Sequence, residues 1–469
     1  MAIVPLPLRG TGIADASAGR NVLDSSASAP IEAGDPTLIY GEPGGSVVRR
    51  SVLNGGVRVL TEAMPGQRSA TIGLWIGVGS RDEVPGQFGS THFLEHLLFK
   101  GTERRSALEI AQAFDEVGGE SNAATAKEST CYYARVLDSD LPMAIDVIAD
   151  MITSAKIDPA DLEQERDVIL EELAMDADDP GDYAHERFVA AVLGDHPLGR
   201  PIGGTPEIIT AVSREDVLKH YARNYVPSEL VITAAGSLDH DKVCALVQQA
   251  LERGGWELDE GADPAPRRPQ EPAEIHGQHM LDVYHRPVEQ AHIIMGCPGI
   301  VATDERRFTM NVLNAILGGG MSSRLFQEIR EKRGLAYATY SFSAGYSDAG
   351  YFGMYAGCGP AKVEEAISIL GREFDLLAKE GVTEEELTKA VGQLSGGLVL
   401  ALEDPGSRMS RLGTAELILG EFRDIDESLE RLRAVTREDI QALAQELAAR
   451  PRTITVVGPF KTGNEIVPA

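Results

Sequence analysis

The sequence predicts an α+β fold made of two homologous domains, each a mainly antiparallel sheet with helices packed on one face. Two short motifs recur along the chain: Val-Ser-Arg-Glu-Asp at 212–216 returns as Val-Thr-Arg-Glu-Asp at 435–439, and Asp179-Pro-Gly returns as Asp404-Pro-Gly. Motifs that keep their order at a separation of more than 200 residues indicate a duplicated unit. Within each half, strand-like runs come before a block of helical patterns, an order typical of α+β folds.

The strand-like runs are rich in β-branched and aromatic residues. In the first half they fall at 57–61, 70–78 and 131–136. In each half the Arg-Glu-Asp motif is followed by a helical pattern and then by another strand-like run, at 230–236 and 453–458. These runs predict the sheet of each domain.

Composition shifts along the chain predict the domain boundaries. The N-terminal stretch is rich in Ala, Gly, Ser and Pro and lacks the apolar run of a signal peptide, whereas the stretch near 254–274 is rich in Pro and charge. The predicted parts are a flexible N-terminal segment 1–45, a catalytic domain 46–253, a linker 254–274, a second domain 275–460 and a C-terminal tail 461–469.

Overall composition excludes several classes of protein. The 469 residues are 43% hydrophobic and 25% charged, as in an ordinary globular protein, and no apolar run is long enough to span a membrane. The four cysteines are scattered without a C-x-x-C pair, which predicts a reducing, cytoplasmic location. A formal net charge of −29 argues against nucleic-acid binding. The acidity indicates either a chamber that attracts basic peptides or general surface acidity.

The segment His92-Phe-Leu-Glu95-His96 carries the main chemical signal. On a helix its three polar side chains share one face, and apolar residues surround them. Buried imidazoles and carboxylates need partners. Zinc supplies such partners, because it binds two histidines while a neighbouring Glu acts on the metal-bound water. The alternative is a pair of core histidines hydrogen-bonded to a glutamate.

A third zinc ligand is predicted on an amphipathic helix that begins after Asp158-Pro. Glu165 and Glu172 are seven residues apart, so both lie on one face, nearer the apolar positions than Glu171. Glu172 would complete a site of two His and one Glu, with water in the fourth position. The alternative is that these glutamates form an ordinary solvated acidic face.

The second half of the chain lacks every one of these residues. A shift of 225 positions places Ala390 and Gly397 opposite Glu165 and Glu172, and the counterpart of the histidine helix reads Met-Asn-Val-Leu-Asn at 310–314. A structural role for the polar residues would not predict their joint loss from the sister domain. This comparison therefore favours a metal site in the first domain.

The motif resembles that of the inverzincins, which are the pitrilysin, insulysin and mitochondrial processing peptidases and their bacterial relatives. The resemblance covers roughly residues 46–460. It implies Zn²⁺ held by His92, His96 and Glu172, which follows His96 by 76 residues, as in the family. It also implies that Glu95 is the general base and that Glu165 orients or charge-balances the site.

The same resemblance implies four substrate-binding residues. The short side chains near 118–128 indicate an edge strand that could pair with a peptide, and Asn122 and Ala123 match the family motif there. Arg330 and Tyr337 match a family segment that binds substrate and stabilises the oxyanion. The alternatives are an ordinary hairpin strand and an amphipathic helix with a surface arginine.

The resulting hypothesis is a zinc metalloendopeptidase that hydrolyses peptides or unfolded segments in an enclosed chamber. A homodimer is expected, because Arg330 and Tyr337 stand in the same chain as the zinc motif. Two alternatives stay open. One is a catalytic subunit that needs a separate non-catalytic homologue, and the other is a non-catalytic scaffold subunit.

Overall fold

The computed structural model describes residues 4–5, 36–41 and 45–466. It confirms an α+β fold with two mainly antiparallel sheets. The strands within the described residues are β1 (Val4–Pro5), β2 (Leu38–Gly41), β3 (Val47–Val52), β4 (Arg58–Ala63), β5 (Ser69–Ile76), β6 (Glu120–Thr125), β7 (Thr130–Leu137), β8 (Leu230–Gly236), β9 (Met280–His285), β10 (Ala291–Pro298), β11 (Ala336–Gly345), β12 (Gly350–Cys358), β13 (Glu421–Phe422) and β14 (Thr453–Gly458).

The α-helices fill most of the intervening sequence. They are α1 (Ser90–Leu97), α2 (Ala107–Asp115), α3 (Leu141–Ser154), α4 (Pro159–Asp178), α5 (Pro180–Leu193), α6 (Pro206–Ala211), α7 (Arg214–Asn224), α8 (His240–Arg253), α9 (Arg307–Gly318), α10 (Val363–Glu380), α11 (Glu384–Ala401), α12 (Pro405–Thr414), α13 (Ile425–Arg433) and α14 (Arg437–Ala448). Two π-helical turns, Phe326–Glu331 and Ala415–Leu419, supplement them.

The two main sheets repeat one strand order. The seven-stranded sheet runs β2-β3-β4-β8-β5-β7-β6, and the five-stranded sheet runs β9-β14-β10-β12-β11. In each sheet one pair is parallel, β4 with β8 and β14 with β9, and the other pairs are antiparallel. Five strands therefore correspond one to one, which confirms the predicted duplication. The correspondence places β6 and β11 at equivalent sheet edges.

The repeated Arg-Glu-Asp motifs perform the same local task in both halves. Ser213 accepts a hydrogen bond from the backbone N–H of Asp216 at the start of α7, and Thr436 accepts one from Asp439 at the start of α14. Side-chain oxygens at these positions satisfy amides that a helix leaves unpaired in its first turn. Each capped helix then leads to the strand that makes the parallel pairing, β8 or β14.

The described chain divides into two compact units that are not contiguous in sequence. The first contains the described residues up to Glu171 together with Ile202–Arg267 and Leu400–Asp424, and the second contains Glu172–Pro201, Arg268–Val399 and Ile425–Ala469 as far as the chain is described. The predicted domains 46–253 and 275–460 are continuous stretches. They therefore do not show that residues 172–201 belong to the second unit and residues 400–424 to the first. One boundary between the units falls inside the unbroken helix α4.

The exchanged segments begin with the repeated Asp-Pro-Gly motif. Asp179 caps α5, which packs on β10 and β14 of the second unit, and Asp404 caps α12, which packs on β5 and β8 of the first unit. The close packing of α12 depends on small residues, because a Cβ at Gly413 would lie 2.6 Å from the ring of Trp75. The helix that follows the Asp-Pro-Gly motif in each half of the sequence therefore packs in the unit formed mainly by the other half.

Two short strands lie inside the stretch predicted to be a flexible N-terminal segment. Val4 pairs with Phe422, and Leu38 pairs with Arg49, both in antiparallel register. Flexibility of segment 1–45 stays a prediction. Residues 1–3, 6–35 and 42–44 of this segment lie outside the described residues. Among the helices that the structure describes, none is both long and apolar enough to cross a bilayer.

Candidate metal centre

Helix α1 presents a polar face on an otherwise apolar element, as the sequence predicts. Phe93, Leu94 and Leu97 are fully buried, whereas the side chains on the other face are half-buried. That face consists of His92, Glu95 and His96. Because residues three and four apart stack on one side of a helix, a single turn brings two imidazoles and a carboxylate together.

Helix α4 orients its acidic residues unequally. Glu165 is only 3% exposed, Glu172 is half-buried and Glu171 is exposed, in the order that the sequence predicts. The apolar stripe is narrower than expected, since Val168 and Met175 are 39% and 70% exposed. Leu162, Glu165 and Ile169 form the buried line of this helix, so a carboxylate occupies one of its three inward positions.

The structure brings His92, His96 and Glu172 into one cluster. One ligand atom from each lies within 4.8 Å of the others, and the two Nε2 atoms of the histidines are 3.3 Å apart. Two neutral imidazole nitrogens and one carboxylate oxygen are donors that zinc prefers. The donor set and its convergence therefore fit Zn²⁺. Within the described part of the chain, these are the residues grouped closely enough to hold a metal ion.

Glu165 lies behind the cluster and contacts it through His96. The Nδ1 of His96 donates to Glu165 Oε2 at 2.9 Å, which leaves Nε2 of that ring facing His92. A carboxylate on the second ring nitrogen fixes the tautomer and makes the other nitrogen a better ligand. Glu165 also pairs with Lys100, whose Nζ is 2.5 Å from Oε1. Sequence reasoning missed Lys100, although its position four residues after His96 could have indicated it.

Glu95 is joined to the edge strand of the first sheet. Its Oε2 accepts a hydrogen bond of 3.0 Å from the backbone N–H of Thr125, the last residue of β6. Strand β6 is an edge of the seven-stranded sheet, which confirms the edge strand predicted near 118–128. Asn122 and Ala123 both lie on it, with Asn122 exposed and Ala123 buried. The carboxylate and the strand are therefore held in one fixed geometry.

A cavity lies beside this edge strand. Its volume is about 310 Å³, and its lining combines apolar side chains of the first unit with polar groups of β6. The lining residues are Phe99, Ala107, Ile110, Ala111, Ser121 and Asn122. Phe99 follows Glu95 by four residues in the chain, so the segment that carries Glu95 continues into the wall of the cavity.

Neutral polar groups support α1 from the surrounding elements. The hydroxyls of Tyr132 and Tyr225 are hydrogen-bonded at 2.9 Å, and burial raises the pKa of both, so both stay protonated. Thr91 Oγ1 lies 3.2 Å from Nε2 of His220. Burial lowers the pKa of His220 to about 4, so this imidazole is neutral at physiological pH. These three neighbours of α1 are therefore uncharged, and the positive charge of Lys100 is paired with Glu165.

Arg330 and Tyr337 lie together in the second unit. The Arg330 guanidinium packs over the Tyr337 ring, 4.4 Å from its centroid, and donates to the backbone carbonyl of Tyr337 at 2.9 Å. The Tyr337 side chain is 76% exposed. Arg330 lies in the π-helical turn Phe326–Glu331, and Tyr337 lies on the edge strand β11, so the alternative of one amphipathic helix does not describe the whole segment.

Comparison with known proteins gives consistent matches along most of the chain. Residues 58–206 match the family profile described as Insulinase (Peptidase family M16), and residues 211–394 match the profile described as Peptidase M16 inactive domain. A protein of Streptomyces coelicolor named as an uncharacterized zinc protease is 50% identical over 438 residues, which are 93% of this chain and 95% of the relative. A protein of the same description from Bacillus subtilis is 38% identical over 413 residues, covering 88% of this chain and 98% of the relative.

Solved structures share the fold. A peptidase M16 inactive domain from Pseudomonas fluorescens superposes with a TM-score of 0.79 at 21% identity, covering 88% of this chain and 98% of that chain. A protease from Helicobacter pylori gives a TM-score of 0.78 at 23% identity, with 88% and 99% coverage. At these identities the similarity establishes the architecture, and the chemistry has to be argued from the residues.

Proposed function

Because the chain belongs to peptidase family M16, as its resemblance to the inverzincins predicts, we propose that it is a zinc metalloendopeptidase acting on peptides or unfolded polypeptide segments. The observation that carries the proposal is the cluster of His92, His96 and Glu172 next to a Glu95 that is hydrogen-bonded to an edge strand. A metal-ligating trio, a carboxylate base and a peptide-pairing edge are the parts that metal-assisted peptide hydrolysis requires.

Each residue of the cluster has a proposed task. His92, His96 and Glu172 would hold the metal, and Glu165 would orient His96 through Nδ1. When bound, Zn²⁺ would act as a Lewis acid that polarises the peptide carbonyl and lowers the pKa of water. Glu95 would accept the proton of the attacking water and return it to the leaving amine. The hydrogen bond from the backbone N–H of Thr125 would hold the Glu95 carboxylate in one orientation during both proton transfers.

The substrate would bind by strand addition. The open edge of β6 offers backbone amides and carbonyls that can pair with an extended peptide. Such pairing uses the backbone of the substrate and is independent of its side chains. The cavity that Phe99 and Asn122 help to line would take one apolar side chain of the substrate. Only an extended segment can pair in this way, so unfolded chains are preferred to compact proteins.

A scaffold role is the main rival. It would not require the complete donor set, because a non-catalytic subunit gains nothing from holding two imidazoles and a carboxylate within 4.8 Å. The second half, where α9 and α11 correspond to α1 and α4, lacks the equivalent residues. The enclosed chamber, the homodimer and the cytoplasmic location belong to the same proposal as expectations from the sequence.

Incubation with a mixed peptide library tests the proposal directly. We expect mass spectrometry to detect new peptide termini within the sequences, as an endopeptidase produces, and we expect a chelator to stop their formation and added Zn²⁺ to restore it. Apolar residues should be enriched at one position next to the cleaved bonds, because of the cavity beside β6. A zinc-loaded protein that leaves the whole library intact would contradict the proposed activity.

Arg330 and Tyr337 are proposed to assist catalysis as donors to the substrate carbonyl oxygen. We expect Arg330→Ala and Tyr337→Phe to lower kcat/KM about 100-fold or more, the cost typical of losing one oxyanion donor, with zinc content unchanged. Lys332→Ala is the matched control, since this neighbouring cation is 60% exposed and pairs with Glu328. Steady-state kinetics on one cleaved peptide, with elemental analysis, gives the answer. If all three variants had the kcat/KM of the parent, Arg330 and Tyr337 would not be donors to the substrate.

A further inference from the structure

Glu83 holds the start of the metal-bearing helix. Its side chain is 6% exposed, and its two oxygens accept hydrogen bonds of 2.8 Å from the backbone N–H groups of Gly89 and Thr91. Thr91 is the second residue of α1, where a helix leaves amides without partners inside the helix. A carboxylate at that end also interacts favourably with the helix dipole.

The turn that precedes Glu83 is bound to the hairpin that follows the edge strand β6. The preceding turn is tied to the β6–β7 hairpin, because the N–H groups of Ser80 and Arg81 donate to the carbonyls of Ala126 and Lys127 at 3.1 and 3.0 Å. The Arg81 guanidinium also pairs with Glu128 at 2.6 Å. Glu83 therefore joins α1 to the same hairpin that supplies Thr125 to Glu95.

The other contacts at this helix start leave it little freedom. Gly89, the residue before α1, has φ +84°, and a Cβ there would lie 2.6 Å from Cδ1 of Ile209. His92 follows directly as the third residue of the helix. Any displacement of the first turn therefore moves His92 relative to His96, which stands one turn further along.

We propose that Glu83 is a positioning residue for the metal centre, one that sets the direction of His92 and ties the metal-bearing helix to the substrate-binding edge. The inference rests on the proposed function, because it assigns Glu83 a role toward that same centre. Replacement by Gln leaves one acceptor oxygen for two amide donors and turns an NH₂ group toward the second, so the first turn of α1 should loosen.

The test compares Glu83→Gln, Glu83→Asp and the control Glu116→Gln with the parent protein, since Glu116 is an exposed residue at the end of α2. Competition with a chromophoric chelator gives the zinc affinity of the folded protein. We expect zinc binding to weaken about 10- to 100-fold in Glu83→Gln, as is typical when a group supporting a ligand is lost, and to stay within twofold of the parent in Glu116→Gln. Hydrogen exchange of the metal-free protein should be faster at residues 89–93 in Glu83→Gln alone.

If Glu83 only stabilised the fold, Glu83→Gln would lower the melting temperature. The zinc affinity of the folded protein and the absorption spectrum of its Co²⁺ form would then stay unchanged, and this result would overturn the proposal. If Glu83→Gln does not fold, Glu83→Asp decides, because it keeps the charge but shortens the reach by one methylene. Zinc affinity in Glu83→Asp equal to that of the parent would then overturn the proposal. A failure of the proposed function shows instead in the parent, which would bind zinc and cleave nothing.

Discussion

Glu95→Gln should keep its zinc and lose nearly all peptidase activity. We expect kcat/KM to fall about 100- to 10,000-fold, the range for removal of a general base, which corresponds to about 3 to 5 kcal/mol of transition-state stabilisation. The amide oxygen of Gln can still accept the hydrogen bond from Thr125, so the geometry of α1 against β6 should survive. What is lost is the ability to take a proton. Initial rates on one peptide, normalised to zinc content, measure this effect.

The control for this prediction is Glu171→Gln. It makes the same chemical change at an exposed glutamate next to Glu172, so it should leave the rate unchanged. Peptide cleavage by Glu95→Gln at the parent rate would show that another group takes the proton. Loss of zinc from Glu95→Gln would show instead that Glu95 is a ligand.

His96→Ala should abolish stoichiometric zinc binding. The substitution removes one of three donors and also separates Glu165 from the cluster, because the hydrogen bond to Nδ1 disappears with the ring. The loss of affinity should therefore exceed the 10- to 100-fold typical of losing a supporting group. Zinc that binds only the folded state raises its stability by about 2.7 kcal/mol at a hundred times Kd. We expect this zinc-dependent rise in melting temperature in the parent and its absence in His96→Ala.

His276→Ala is the matched control, since the side chain of His276 is 79% exposed and is not part of the cluster. It should keep one zinc per chain by elemental analysis. Retention of one zinc per chain by His96→Ala would refute the assignment of His96 as a ligand, whatever the activity of that variant.

Much of the fold was readable from local pattern. The runs at 230–236 and 453–458 are the strands β8 and β14 with the predicted bounds, because both are rich in β-branched residues and are mostly buried. The Arg-Glu-Asp motifs mark helix starts in both halves, since a capping hydroxyl precedes each of them. The exchange of α5 and α12 between the units could not be read in this way, because local propensity does not say against which sheet a helix packs.

The sequence by itself determined the chemical identity of the candidate site. The spacing within His92-Phe-Leu-Glu95-His96 puts three polar groups on one helix face, and a seven-residue spacing does the same for Glu165 and Glu172, because helix periodicity is a local property. Only the tertiary structure decided what these groups touch: Glu165 on His96 and Lys100, Thr125 on Glu95, and Glu83 on the first turn of α1. Such contacts join residues that lie far apart in the chain or in different elements, and they depend on how the sheet and helices pack, which no local pattern encodes.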